Sequence, residues 1–149
     1  MDSRMVEKTR GKVRKFLQRS FGGAFKEQGD IFWGRQGTTV VMIRVLPWPS
    51  VEDAQVQVIA GIARDVDPTI ECLSFLLKEN QDFILGGFAL EGDRDIIFRH
   101  GIIGSKMDQK ELEASVLAVA STGDKFDDII TSRFGGVKIS DLAEEATAS

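Results

Sequence analysis

The run Thr38-Thr39-Val40-Val41-Met42-Ile43-Arg44-Val45-Leu46 constrains the fold of this chain more than any other segment. It is β-branched or apolar almost throughout, which fits a pleated and buried strand. Successive side chains of a strand point to opposite faces, so Thr39, Val41, Ile43 and Val45 share one face while Val40, Met42 and Leu46 share the other. A strand apolar on both sides needs cover on both sides. A helix layer of the same chain supplies one cover; the other is a further helix, a second subunit or an added peptide.

The flanking sequence extends this into a meander. Arg35-Gln36-Gly37 supplies a turn back to a strand over residues 25–34, and Pro47-Trp48-Pro49 is expected to stop the central strand because proline has no amide to donate. Residues 54–63 alternate polar and apolar at first and make a third strand. Ahead of the meander, Val6, Val13, Phe16, Leu17 and Phe21 recur at helical spacing within residues 4–21, and Gly22-Gly23 closes that helix.

After the meander, Asp67-Pro68 reads as an N-cap with proline at the first helical position, opening a helix that carries Ile70, Leu73, Leu76 and Leu77 and stops near Asn80. A second hairpin follows, with strands over 83–90 and 95–103 around the turn Glu91-Gly92-Asp93-Arg94. Ser105 or Asp108 can cap a last long helix bearing Leu112, Val116, Val119, Phe126, Ile130 and Phe134, ended by Gly135-Gly136. The predicted order is α-βββ-α-ββ-α, an α+β fold with a five-stranded, largely antiparallel sheet covered by helices. A length of 149 residues suits one domain, assigned to 1–139, with 140–149 a tail that is either a short helical turn or flexible.

Composition bears mainly on chemistry. With Cys72 the only cysteine and His100 the only histidine, the chain cannot build an internal disulfide or a Cys/His zinc cluster, and it has no tyrosine. Cys72, among Ile70, Leu73, Phe75 and Leu76, reads as a small core hydrophobe. The carboxylate groups Glu91, Asp93, Asp95 and Asp124, Asp127, Asp128 lack a calcium-loop pattern and read as turn chemistry and a solvated helix face respectively. The glycines match no phosphate loop; Gly86-Gly87, inside a strand pattern, marks a bulge or a close approach of backbone. No catalytic residue, cofactor or metal is expected. The first eight residues lack a signal-peptide pattern and no apolar run is long enough to span a bilayer, so the expected location is the cytoplasm.

Charge is unevenly divided. The net charge is −4, yet Arg4, Lys8, Arg10, Lys12, Arg14, Lys15, Arg19 and Lys26 against Asp2 and Glu7 give residues 1–26 a charge of +6 and the remainder −10. A basic amphipathic helix can bind anionic lipid or nucleic acid, or be only the wet side of a helix.

The element order, together with Leu76-Leu77-Lys78-Glu79-Asn80, Phe83, Leu85-Gly86-Gly87-Phe88-Ala89-Leu90-Glu91, Ile97-Phe98-Arg99-His100 and Asp124-Lys125-Phe126-Asp127-Asp128-Ile129-Ile130, resembles the YbjN-type family and its structural relatives, the dimeric type III secretion chaperones. The resemblance spans roughly residues 6–136. It implies a non-enzymatic fold that holds polypeptide, with a peptide-binding surface at Phe16, Leu17, Phe21, Val41, Ile43 and Val45. It further implies a homodimer interface at Leu73, Leu76, Leu77 and Phe88. The basic first helix departs from the acidic character common among secretion chaperones. The expected function is thus a dimeric, chaperone-like adaptor for peptides or proteins; the alternative is a regulator binding anionic lipid or nucleic acid through the first helix.

Overall fold

The computed structural model describes residues 3–148; Met1, Asp2 and Ser149, which fall in the predicted domain and tail, lie outside the described residues. The first helix, α1 (Ser3–Phe21), turns Thr9, Val13 and Leu17 inward at four-residue spacing and ends at Gly22, whose φ of 58° is open to glycine without strain.

The sheet has seven strands rather than five: β1 (Phe25–Gln28), β2 (Ile31–Gln36), β3 (Thr39–Trp48), β4 (Asp53–Arg64), β5 (Gly87–Glu91), β6 (Asp95–Ile103) and β7 (Val137–Lys138). The spatial order is β1-β2-β3-β4-β6-β5, with β7 pairing the end of β4, and every described pairing is antiparallel. Two of the differences have local causes. The segment expected as one strand over 25–34 is a hairpin, because Gly29 at φ 59° folds it back on itself. The two-residue β7 is too short to leave a periodic signal.

Pro47 does not stop β3, which runs on to Trp48. Its pairing with β2 ends at Arg44, so Pro47 and Trp48 have only β4 alongside, opposite Ala54 and Asp53. A proline on such a one-sided stretch disrupts no second ladder.

Three helices follow: α2 (Ile70–Asn80), α3 (Gln109–Phe134) and α4 (Ile139–Ala148). Thr69, not Asp67, caps α2, its hydroxyl accepting from the Cys72 N–H at 3.1 Å, and Pro68 therefore lies before the helix. Asp108 caps α3 through the Glu111 N–H at 2.8 Å, and the helix continues unbroken through Gly123 as its apolar spacing predicts. Residues 83–86 are loop, so β5 begins only at Gly87.

Strand partners share a face, so the register divides the sheet. One face carries Phe32, Val41, Ile43, Val45, Val56, Val58, Ala60, Phe98 and Ile102, all buried beneath α1 and α3. Each such aliphatic or aromatic side chain contributes on the order of 1.5–3 kcal/mol when fully buried. At the β5 end, Phe75, Phe83, Phe88, Phe98, Phe126 and Phe134 form a linked aromatic cluster with ring centroids 4.8–6.3 Å apart. Edge-to-face contacts of this kind favour one arrangement over its alternatives. Through Phe83 they also pin the loop between α2 and β5.

Candidate functional site

The opposite face of the sheet is where the fold leaves apolar side chains in reach of solvent. Its register rows run Lys26–Trp33–Met42–Ile59–Arg99 and Gln28–Ile31–Arg44–Gln57–Gly101, with Arg35–Val40 and Ile97–Ala89 beside them. Ile31, Trp33, Val40, Met42, Leu46 and Ile97 are half-buried there, and Ile103 is exposed. The covering element is α4, which packs on β4 and β3 at one end only.

That end is built around a missing side chain. A Cβ on Gly61 would lie 2.8 Å from Cγ2 of Ile139, so the glycine makes room for the isoleucine to seat against the strand. Ile139 forms one wall of a groove of about 180 Å³ whose other walls include Val40, Met42, Ile59 and Ile97, with Arg64, Glu91 and Asp95 as its charged members. Arg35 donates to the Ser140 carbonyl at 3.3 Å and to the Thr38 carbonyl at 3.0 Å, tying the start of α4 to the β2–β3 turn.

Beside this groove lies a polar cavity of about 450 Å³ that includes Arg35, Asp124, Asp127, Asp128, Lys138 and Ser140. The three aspartates are not one solvated face, as the sequence suggested. Asp124 accepts hydrogen bonds from the hydroxyls of Thr38 and Thr39 at 2.6 and 2.7 Å. Burial works to raise its carboxyl, but the hydrogen bonds outweigh that and hold it below the usual range. Asp127 is buried, and desolvation pushes its carboxyl up. Asp128, exposed like Asp124, lies 2.9 Å from Lys138. The Glu91, Asp93, Asp95 set is turn chemistry as expected, with Asp95 accepting from the Asp65 N–H at 3.1 Å. No group of three or more His, Cys, Asp or Glu in a metal-holding arrangement occurs among the described residues.

The residues expected to bind peptide lie elsewhere. Leu17, Val41, Ile43 and Val45 are in the core under α1 and α3, and Phe16 and Phe21 are half-buried against it. A peptide could meet the first four only by displacing a helix, because the chain's own helices cover that face of β3. The residues expected at a dimer axis divide: Leu76 and Phe88 are core, whereas Leu73 and Leu77 are exposed on α2, Leu77 at 69%. Ile70, 84% exposed, lies one turn before Leu73, so the three make an apolar stripe at i, i+3 and i+7. Sequence reasoning missed the outer-face positions Trp33, Ile59, Ile97 and Ile139; the two-sided apolar pattern around Met42 was the signal that could have found them.

Cys72 is buried in the core, and that burial, reinforced by Asp67, pushes its thiol up and away from reactivity. His100 is half-buried beside Ile102, Glu111 and Ser115, and burial lowers its imidazole despite the opposing pull of Glu111. The basic helix is partly spent on the fold. Arg14 donates two hydrogen bonds to Glu27 at 2.7 and 2.8 Å, Arg10 reaches Glu27, Asp30 and the Gly29 carbonyl, and Lys12 donates to the Gly104 carbonyl at 2.8 Å. Hydrogen bonding and charge from Glu27 raise Arg14, and Arg14 in turn lowers Glu27. Among the described residues no helix is long and apolar enough to cross a membrane.

The sheet is thus backed by helices on one face and largely without helix cover on the other, where apolar and basic side chains alternate. The chain belongs to the TY-Chap1 family, the T3SS (YopN, CesT) and YbjN peptide-binding chaperone 1 family, whose model matches residues 7–142. This is a family of peptide- and protein-binding domains rather than of enzymes. In fold the chain is similar to one in the crystal structure of the ExsC–ExsE complex, with a TM-score of 0.62 at 12% identity over 87% of this chain and 97% of that one. A search of curated proteins gives no significant match.

Proposed function

We propose that this protein is a non-enzymatic, homodimeric adaptor that holds polypeptide segments on the outer face of its sheet, in the cytoplasm. The observation that carries this reading is the strip Trp33, Met42, Val40 and Ile97, left half-buried around the buried Ile59, whereas the opposite face is packed beneath α1 and α3. Contiguous apolar surface left in reach of solvent on a folded domain marks sites of association. Membership of a peptide-binding family and the likeness to a chain crystallised in the ExsC–ExsE complex support a polypeptide as the occupant.

The apolar stripe Ile70, Leu73 and Leu77 is the proposed dimer contact, the same patch meeting its copy about a twofold axis. It lies on α2 beside β5, away from the strip on β2, β3 and β4, so pairing leaves the client face open.

The test is fluorescence anisotropy with a panel of labelled unstructured peptides of defined sequence. Wild type should bind a subset, and Met42→Asp, shown folded by circular dichroism, should lose it. Binding indifferent to Met42→Asp and Trp33→Asp would overturn the assignment of the face. Light scattering on Leu77→Asp reads the dimer separately, with a monomer expected. The alternative of an anionic surface partner finds less support, because Arg10, Lys12 and Arg14 are already engaged within the fold.

A further inference from the structure

Strand β6 has a length of edge that the chain's own strands leave unpaired. It is paired with β4 from Ile96 to Ile103, whereas β5 reaches it only from Asp95 to Arg99. Residues 100–103 therefore have a strand on one side only. Which of their backbone groups are left over follows from Asn80. Its amide bonds to both the N–H and the C=O of Phe88, so Phe88 directs its backbone away from β6, and its partner Phe98 directs its own away from β5. Backbone groups alternate in direction along an antiparallel strand, so Arg99, Gly101 and Ile103 turn theirs to the β5 side. Arg99 meets Gly87 there, and Gly101 and Ile103 meet no strand. Among the described residues no backbone group outside the sheet bonds to either of them. An edge of this kind is where an extended chain adds as a further strand.

The same stretch of β6 borders a cavity of about 250 Å³ beside the first turns of α3. His100 and Ile102, register partners of the buried Val58 and Val56, line it together with Leu85, Ala114 and Ser115. Its charged members, Asp108, Lys110 and Glu111, are exposed and of both signs, so the cavity selects no charge. Ser115 is 1% exposed, and its hydroxyl has no hydrogen-bond partner among the described residues. A buried polar group left in this way calls for a partner. Strand geometry links edge and cavity. Three residues added beside 101–103 turn the backbone of the first and third to Gly101 and Ile103, and set the middle one opposite Ile102. Opposed residues share a face, so the middle side chain enters the cavity while its neighbours stay on the other face, where Gly101 leaves open space.

We infer that the open edge of β6 binds an extended segment of another polypeptide, centred on a tyrosine whose ring lies against Leu85, Ile102 and Ala114 and whose hydroxyl pairs with Ser115. A buried tyrosine has these two needs, apolar sides for its ring and a partner for its O–H. The chain itself contains no tyrosine, so a second copy cannot supply the anchor. This site lies at the edge of the sheet and stands whether or not the outer face holds a client.

The experiment is an NMR titration of the full, nitrogen-15-labelled chain with a seven-residue peptide that carries tyrosine at its centre and threonine at the other positions. In the free protein the amides of Gly101 and Ile103 should exchange with solvent quickly and those of His100 and Ile102 slowly. Protection of Gly101 and Ile103 without peptide overturns the inference, because the chain or a second copy then fills the edge. The peptide should shift and protect those two amides, and phenylalanine in place of its tyrosine should weaken binding about fivefold, the worth of one hydrogen bond. Ser115→Ala, which replaces serine by a better helix former, should bind the two peptides equally. Methylating the backbone nitrogens on either side of the tyrosine should abolish binding. Undiminished binding of the methylated peptide overturns strand addition, and equal affinity of the two unmethylated peptides for wild type overturns the tyrosine seat. No binding of the tyrosine peptide, or shifts at Trp33 and Met42 in place of Gly101 and Ile103, overturns the edge site and leaves the reading of the outer face to its own test.

Discussion

The Asn80 side chain pairs with the backbone of Phe88 as another strand would, its Oδ1 accepting from the Phe88 N–H at 2.7 Å and its Nδ2 donating to the Phe88 carbonyl at 3.3 Å. The asparagine at the end of α2 thereby fixes β5, the last strand of the sheet, to the helix that precedes it. Phe88 is itself buried in the aromatic cluster, so the pair sets where that ring sits.

Removing the amide takes the partner from two backbone groups in a partly buried place, where water replaces part of what is lost, so the cost is that of about one fully unsatisfied group, about 1–3 kcal/mol. Asn80→Ala is expected to lower stability by about 1–3 kcal/mol in urea unfolding. Asn80→Asp should cost a comparable amount, since it keeps the acceptor but loses the donor to the Phe88 carbonyl. An Asn80→Asp variant as stable as wild type would show that the 3.3 Å bond contributes nothing.

Gly123 lies mid-helix, where alanine normally gains about 1 kcal/mol over glycine. Here a Cβ would come 2.6 Å from both Cγ2 and Oγ1 of Thr39, a buried residue whose one hydroxyl proton is shared between the Ala120 carbonyl and Asp124. Overpacking costs about 1–3 kcal/mol, so Gly123→Ala is expected to destabilise despite its better helix propensity. The double variant with Thr39→Ala should recover part of the loss, a coupling measured by a double-mutant cycle. Additive effects would show that α3 shifts away from β3 freely.

Helix α3 was readable from Leu112 to Phe134 because its apolar positions keep step through Gly123, and β3 was readable because its two faces are both apolar. What sequence could not supply was which face of β3 the helices would cover. Thr39, Val41, Ile43 and Val45 differ from Val40, Met42 and Leu46 too little in hydrophobicity for periodicity to choose between them. The choice is made at long range, by Gly123 admitting Thr39 and by Gly61 admitting Ile139. The expected peptide surface accordingly fell on the buried face. The exposed α2 stripe was half-legible: Leu73 and Leu77 are outward, but Leu76 turns inward because a helix advances 100° per residue.

Lys12 and Lys15 separate structure from surface charge on α1. Lys12 donates to the Gly104 carbonyl, across from Thr9, whose side chain lies against the same glycine. Lys15 is exposed. Lys12→Ala is expected to cost about 0.5–1.5 kcal/mol, the net worth of one hydrogen bond. Lys15→Ala should stay within about 0.5 kcal/mol of wild type, as surface changes do. Thermal unfolding of both variants checks this, and equal losses would mean that charge on α1, rather than the Gly104 contact, supports the fold.

Asp53 and Asp127 should impose opposite pH dependences on stability. Asp53 is held below the ordinary aspartate value of 3.8, chiefly by the Ser105 hydroxyl and against the cost of burial, with the Ala54 and Ser105 N–H groups adding to it. A carboxyl lowered by folding stabilises fully above its unfolded value, and this contribution is lost as pH falls through the lower folded value. Asp127 is raised above 3.8 by burial, against the Asp128 N–H that bonds to it. Its folded form therefore holds the proton more tightly, and stability is lost as pH rises from 3.8 through the folded value, leaving a standing penalty at neutral pH. An asparagine in its place would keep an acceptor for the Asp128 N–H and bring no charge into the buried site. Asp127→Asn is thus expected to raise the unfolding temperature at pH 7, with the gain disappearing below 3.8, where wild-type Asp127 is protonated in both states. Asp53→Asn should lower it at pH 7, with the loss shrinking in acid. Calorimetric scans of the two variants between pH 3 and 7 read both slopes; a loss of stability at pH 7 in Asp127→Asn would show that its carboxylate is held by a charge partner rather than penalised by burial.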